Sequence, residues 1–210
     1  AIAMLRYMSS GRAGIRMMFV SLHWPLFREI LNVGLLAALG TIQLNVMVLL
    51  VTGAVGVFGV DAIGGFGTAS RLDYVLIPVL FGIGTAIVTM VGINVGARQI
   101  DRAKRIAWVG VAVSVVFTEV VGLLVAVFPG VWLRLFTHDE SVLVTGELYL
   151  QIVAPFYAAN GILFALGFAA QGSGYMWKMF LVGTVRLILA AGGGWIAVEY
   201  FNVSQAGLFI

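Results

Sequence analysis

Long apolar runs separated by short polar loops dominate the pattern of this chain. Residues 30–60, 74–97 and 148–177 contain no charged side chain. About 20 apolar residues are enough to cross the hydrocarbon core of a bilayer as a helix. Each of the three runs is longer than that, so the pattern predicts membrane-spanning helices rather than the buried helices of a water-soluble domain.

Two further apolar runs each carry a single charge, Glu119 in one and Arg186 in the other. With these, the pattern predicts an all-α membrane protein with five complete transmembrane helices and the start of a sixth. The five spans are predicted at about 27–52, 61–94, 106–130, 145–170 and 179–199, and the sixth begins at about 204.

The composition supports lipid as the main solvent of the chain. Of its 210 residues, 61% are hydrophobic and 10% are charged, whereas soluble domains carry about 25% charged residues. The 27 Gly suit membrane helices, because small residues let helix backbones approach closely. The net charge of +3 comes from residues in short loops, so we predict contact with a lipid bilayer and no binding of nucleic acid.

Lys and Arg concentrate in alternate loops. The N-terminal segment and the loop at 98–105 contain four each, and the loop after the fourth span contains Lys178. Five spans place these three segments on one side of the membrane. Because Lys and Arg are retained in the cytoplasm, we predict that this side is cytoplasmic and that the loop at 137–141 is outside.

A set of short motifs in fixed order resembles the multidrug and toxic compound extrusion (MATE) family. The resemblance runs from Pro25 to about Trp195. Its most specific part is the second span with its closing loop, and similar motifs occur at the fourth span and the turn after it. The matching segments read GFGTASRLD at 65–73, IPVLFGIGTA at 77–86, VGINVGA at 91–97, GELYL at 146–150 and QGSG at 171–174.

The resemblance implies one lobe of a two-lobe transporter. Residues 25–210 would form the C-terminal lobe, residues 1–24 would be a cytoplasmic linker between lobes, and an N-terminal lobe of the same chain would precede Ala1. It implies a multi-pass protein of the plasma membrane (the bacterial inner membrane). The implied activity is antiport that exports cationic or amphipathic compounds in exchange for protons or sodium ions, without a cofactor.

One departure from the family concerns acidic residues. Some members carry an intramembrane acid in the first or fourth helix of this lobe, where this sequence has Gln43, Asn45 and Asn160. These amides are candidates for the substrate or ion pathway. The alternative is that they form hydrogen bonds between helices, which stabilise membrane proteins by about 1 kcal/mol each.

Four charges fall inside predicted spans, where charged side chains are costly and usually functional. At 1.5 Å per residue, Arg71 and Glu119 lie about 15 and 16 Å from the outer side, so we predict that they form a structural buried pair. Asp73 points about 200° away from Arg71, at a depth within about 2 Å of that of Arg186. We predict that Asp73 faces the cleft and exchanges Arg186, a proton or a cationic substrate; the alternative for all four is a static salt bridge.

Proline and glycine residues predict irregular helices at two places. Pro78, with Gly82 and Gly84 one turn later, predicts a kink in the second span, and Pro155 predicts one in the fourth. Proline causes this because it lacks an N–H group and crowds the preceding turn.

The alternatives to antiport are a flippase and a membrane-embedded enzyme or non-transporting scaffold. A lipid-linked sugar flippase of related two-lobe architecture would need several basic residues in its cavity, and this half offers only Arg71 and Arg186. An enzyme would need a nucleophile or a metal cluster. The chain has no Cys, and neither a Ser–His–Asp set nor a Walker loop is recognisable. His23 and His138 stand alone, so we predict no metal site and no catalytic activity.

The predicted orientation can be tested with single cysteines at Gln99 and Ser141, since residues 1–210 contain none. A thiol reagent that does not cross membranes, added to intact cells, should label the cysteine at 141 and leave the one at 99 unlabelled. Labelling at 99 without labelling at 141 would reverse the orientation.

Overall fold

The structure is a computed structural model that describes residues 23–193, 196 and 204–209. The chain divides into two compact units, residues 1–32 and residues 33–210. The described residues are helical throughout, with short turns and no strand. The predicted all-α fold is therefore confirmed, while most of the predicted linker at 1–24 lies outside the described residues.

Nine α-helices make up the described part of the chain. They are α1 (Trp24–Gly56), α2 (Val60–Ala69), α3 (Asp73–Gly96), α4 (Ile100–Val127), α5 (Pro129–Leu133), α6 (Glu140–Val153), α7 (Tyr157–Ser173), α8 (Met176–Leu187) and α9 (Gln205–Phe209).

Four stretches are long and apolar enough to cross a membrane: Ile30–Gly56, Val60–Gly96, Ile100–Val127 and Glu140–Ser173. The fifth predicted span covers most of α8, which begins at Met176 and continues into a π-helical turn at Ile188–Gly192; its predicted end at 199 lies outside the described residues. Helix α9 falls within the predicted sixth span. Many large apolar side chains are exposed, among them Leu49 at 70% and Trp108 at 66%, as expected of surfaces that contact lipid.

Two spans are broken by 3₁₀ turns. In the fourth span the turn is Ala154–Phe156, at the predicted position around Pro155. In the second span the turn is Ser70–Leu72, and α3 continues through Pro78. The break in the second span thus precedes Pro78, and a kink at Pro78 itself stays a prediction. The Ser70 hydroxyl donates a hydrogen bond to the Gly67 carbonyl 3.2 Å away, which favours the tighter i to i−3 winding there.

Helices α4 and α7 approach each other at small residues. A Cβ atom on Gly161 would lie 2.6 Å from the Thr118 hydroxyl oxygen and 2.9 Å from the Ser114 carbonyl oxygen. Both Ser114 and Thr118 are fully buried. The two backbones can therefore come this close only because position 161 has no side chain.

Hydroxyl groups within the spans mostly bond to their own helix. Thr41, Thr52 and Thr89 each donate to the carbonyl four residues earlier, at 3.2, 2.7 and 2.9 Å. Buried Thr118 does the same at 2.9 Å. Such hydroxyls need no partner from another helix, and they can face lipid without an unsatisfied polar group.

Helix α6 begins at a conventional cap. The Asp139 carboxylate accepts hydrogen bonds from the Ser141 hydroxyl at 2.7 Å and from the Ser141 backbone N–H at 3.0 Å. These bonds hold the pKa of Asp139 below its ordinary value. An N-terminal cap of this kind explains why the helix begins at Glu140, ahead of the predicted membrane span.

The close contact at Gly161 should make the protein sensitive to one added methyl group. Gly161→Ala forces the Ser114 backbone to move, and overpacking of this kind destabilises by about 1–3 kcal/mol. Gly82→Ala is the matched control, since a Cβ atom there meets nothing within 4 Å in the described structure. We expect the thermal midpoint of the purified full-length protein to fall for Gly161→Ala alone. Equal midpoints for the two variants would contradict the packing.

Candidate functional site

A cavity of about 270 Å³ lies among helices α1, α3, α7 and α8. Its walls are mainly apolar, with several phenylalanine and methionine side chains, and its polar lining includes Thr41, Gln43 and Arg186. Ligand sites are often apolar cavities of this kind with a few polar groups. The cavity is therefore the candidate functional site.

Three phenylalanines form the wall between α3 and α7. The Phe81 ring lies 5.1 Å from the Phe168 ring and 6.3 Å from the Phe164 ring, both edge to face. Gly84 makes room for this cluster, because a Cβ atom there would overlap the Phe168 ring. Gly82, predicted to share a kink with Gly84, faces open space.

Gln43 joins α1 to α8. Its amide nitrogen donates to the Thr184 hydroxyl oxygen at 2.6 Å, and Thr184 in turn donates to the Phe180 carbonyl at 2.9 Å. A Cβ atom on Gly183 would lie 2.6 Å from the Gln43 amide oxygen, so the absence of a side chain there allows the contact. Gln43 therefore both lines the cavity and forms a hydrogen bond between helices.

The other two amides have different environments. Asn45 is exposed and donates to the Thr41 carbonyl of its own helix at 2.8 Å. Asn160 is partly buried on α7, one turn before the cavity residues Leu163 and Phe164. Within the described part of the chain the Asn160 amide has no hydrogen-bond partner.

Asp73 is half-buried at the first turn of α3, near Arg186 of the cavity lining. Its carboxylate is close enough to Arg186 for electrostatic attraction, and it neighbours the Tyr157 hydroxyl. Neither contact is direct in the described structure: Asp73 and Arg186 form no ion pair, and the buried Tyr157 hydroxyl has no hydrogen-bond partner. The structure thus brings Asp73 near Arg186 without joining them.

The predicted pair of Arg71 and Glu119 is not formed. Arg71 is exposed, and its guanidinium lies 5.0 Å from the centre of the Phe136 ring, a cation–π arrangement. The Glu119 carboxylate accepts a hydrogen bond from the backbone N–H of Ala158 at 2.9 Å. The two residues have similar depths along their helices, but α4 turns Glu119 toward α7 rather than toward Arg71.

Glu119 instead caps a broken helix. Helix α7 starts anew after the turn that contains Pro155, and the first N–H groups of a helix have no partner within it. A carboxylate is well suited to this position because the N-terminus of a helix carries partial positive charge. The role of Glu119 in the structure is to hold the start of α7 against α4.

Several residues of the site were not predicted from the sequence. Thr184 and the three phenylalanines carry no sequence signal that separates them from ordinary helix residues. Tyr157 does have one, because it directly follows the break at Pro155. In membrane transporters, binding sites commonly lie where helices are discontinuous.

Comparison with known proteins agrees with this architecture. A family model described as MatE matches residues 37–196. The chain is 25% identical over 192 residues to the probable multidrug resistance protein NorM of Thermotoga maritima, and 27% identical over 162 residues to the probable multidrug resistance protein YpnP of Bacillus subtilis. These alignments cover 89% and 77% of this chain.

The solved structures give the same fold. A crystal structure of MATE in complex with MaL6 superposes with a TM-score of 0.88 at 18% identity. The alignment covers 100% of this chain and 48% of that one. The chain also spans 40% of the length of the Thermotoga relative and 36% of the Bacillus relative. The described helices therefore have the fold of one lobe of such a transporter.

The capping role of Glu119 predicts a graded response to substitution. Glu119→Ala leaves the Ala158 N–H without a partner inside the membrane, and loss of a buried hydrogen bond of this kind costs about 1–3 kcal/mol. Glu119→Gln keeps an oxygen that can accept the bond, so it should be milder. We expect the folded yield and thermal midpoint to follow the order wild type, Gln, Ala. An equal loss in both variants would indicate that the charge matters rather than the hydrogen bond.

Proposed function

The chain belongs to the MatE family, and we propose that it forms one lobe of a secondary active antiporter. The proposed substrates are organic cations or amphipathic drugs, exported in exchange for protons or sodium ions. A second, N-terminal lobe of the same chain would form the opposite wall of the cleft, as in other two-lobe transporters. The proposed location is the bacterial inner membrane.

The observation that carries this proposal is the half-buried Asp73 near Arg186, which lines a cavity with several aromatic rings. Aromatic faces attract organic cations, most strongly where water is excluded. A carboxylate near the Arg186 side chain of the same cavity adds charge complementarity. Phe81 and Phe168 offer the rings, and Asp73 precedes Phe81 by about 12 Å along α3.

Asp73 would exchange its positive partner during transport. Arg186 attracts the carboxylate but forms no direct ion pair with it in the described structure. A proton, a sodium ion or a cationic substrate can then compete with Arg186 for the same carboxylate. Competition of two cations for one site favours exchange of one for the other, which is what antiport requires.

The amides would have separate roles in the pathway. Asn160 has no partner among the described residues, so its amide is available to a ligand. Gln43 already bonds Thr184, and we assign it to holding α1 against α8 at the edge of the cavity. Asn45 is exposed on α1, and we place it in the pathway on the strength of its position in the middle of that helix.

The flippase alternative receives less support. A lipid phosphate would need several cationic groups in the cavity. Arg186 is the one Arg or Lys among the cavity-lining residues, and Arg71 lies against Phe136 instead.

The proposal predicts a loss of transport in Asp73→Asn. The amide is nearly the same size but cannot attract a cation, so efflux should slow by about tenfold or more, the equivalent of about 1.4 kcal/mol. Efflux of ethidium from cells that express the full-length protein would measure this. Asp61→Asn is the control, since Asp61 is an exposed acid at the start of α2.

Both variants should reach the membrane in wild-type amounts. Wild-type efflux by a well-folded Asp73→Asn protein would refute the role of Asp73. Loss of efflux in both variants would show that the effect is not specific to Asp73.

A further inference from the structure

A second concave surface lies on the other side of α3, between α3 and α4. This groove encloses about 690 Å³ and is separate from the cavity described above. Its walls are apolar along most of their length, with Ala86, Met90 and Val113 among them. Its charged residues are gathered at one end: Asp101, Arg102 and Arg105.

The groove exists because α3 and α4 meet at a glycine. A Cβ atom on Gly110 would overlap the Ile87 side chain, so Ile87 packs directly onto the α4 backbone and forms the floor. Met90 and Val113 are each 49% exposed, and Val109 is 58% exposed. The floor is thus closed by packing, while the walls remain open along the outside of the two helices.

The length of the groove matches one leaflet of a bilayer. From Arg102 to Val113 is eleven residues of α4, or about 17 Å at 1.5 Å per residue. Half of a hydrocarbon core of about 30 Å is about 15 Å. The apolar walls therefore extend about as far as one lipid acyl chain reaches from its headgroup toward the middle of the membrane.

The charged end has positive charge available to a ligand. Asp101 is engaged by Lys104, with 3.8 Å between the Lys nitrogen and the carboxylate oxygen. Arg102 makes one long hydrogen bond of 3.5 Å to the Gln99 side chain. The Arg105 guanidinium has no hydrogen bond or ion pair within the described part of the chain.

We propose that this groove binds one anionic phospholipid from the leaflet on the side of the loop at 98–105. Its acyl chain lies over Ala86, Met90 and Val113, and its phosphate lies between Arg102 and Arg105. Basic pockets between membrane helices are suited to anionic lipid headgroups, to which each Arg near the surface adds attraction. This site is independent of the proposed transport activity.

Native mass spectrometry of the purified full-length protein tests the proposal. The protein is incubated with equal amounts of phosphatidylglycerol and phosphatidylcholine that have the same acyl chains. We expect one phosphatidylglycerol to be retained, with a preference of roughly tenfold to thirtyfold from two Arg side chains. The double variant Arg102→Gln/Arg105→Gln should lose that preference.

Two matched controls test whether the effect comes from this groove. The first tests for a loss of positive charge elsewhere on the protein, and the second tests for added bulk elsewhere on the helices. The double variant Arg98→Gln/Lys178→Gln removes the same charge from the same predicted side of the membrane, outside the groove, and should keep the preference. Ala86→Phe fills the groove and should reduce retention of both lipids, whereas Ala112→Phe, at an exposed position of α4 outside the groove, should not.

Three results would overturn the proposal. The first is equal retention of the two lipids by the wild-type protein. The second is equal lipid retention by a groove variant and its matched control. The third comes from a spin label at Ala86: protection from both lipid-soluble oxygen and a water-soluble relaxation agent would mean that another protein segment covers the groove.

Discussion

The position of α7 against α4 depends on contacts that involve backbone atoms. A side chain on Gly161 would meet the Ser114 carbonyl, and one on Gly122 would overlap the Ala154 carbonyl. Between these contacts, Glu119 accepts the hydrogen bond from Ala158 that completes the start of α7. Because lipid offers no hydrogen bonds, a helix broken inside the membrane needs its free backbone groups satisfied by protein. Here the Glu119 carboxylate satisfies one of these groups, the Ala158 N–H, and small residues let α4 and α7 come close enough for the bond.

The candidate site follows from this arrangement. With the start of α7 fixed, Tyr157 is buried beside Asp73, and Phe164 and Phe168 point at Phe81 on α3. The tight contact between α4 and α7 therefore positions the α7 side chains that face the cavity. The acid of α3, Asp73, stands in its first turn, where the preceding 3₁₀ turn ends.

The sequence predicted the helices well and the contacts between them poorly. Uncharged runs located the spans, because the cost of charge in lipid dominates their composition, and a 3₁₀ turn lies at Pro155. The break in the second span lies at Ser70–Leu72, where the sequence has no proline to indicate it. The pairing of Arg71 with Glu119 failed for a geometric reason. Position along a helix gives depth, but the direction of a side chain depends on how each helix is rotated against its neighbours.

The hydrogen bonds of the spans also differ in how long each polar group waits for its partner during synthesis. A threonine that bonds the carbonyl four residues before it is satisfied as soon as its own helix forms. Glu119 must wait for a residue 39 positions later, and Gln43 for one 141 positions later. At ribosomal speeds of roughly 5–20 residues per second, the second wait is on the order of ten seconds. Throughout that interval the Gln43 amide lacks the partner on α8 that it has in the folded lobe, so water, lipid headgroups or its own backbone must satisfy it while the later helices are made.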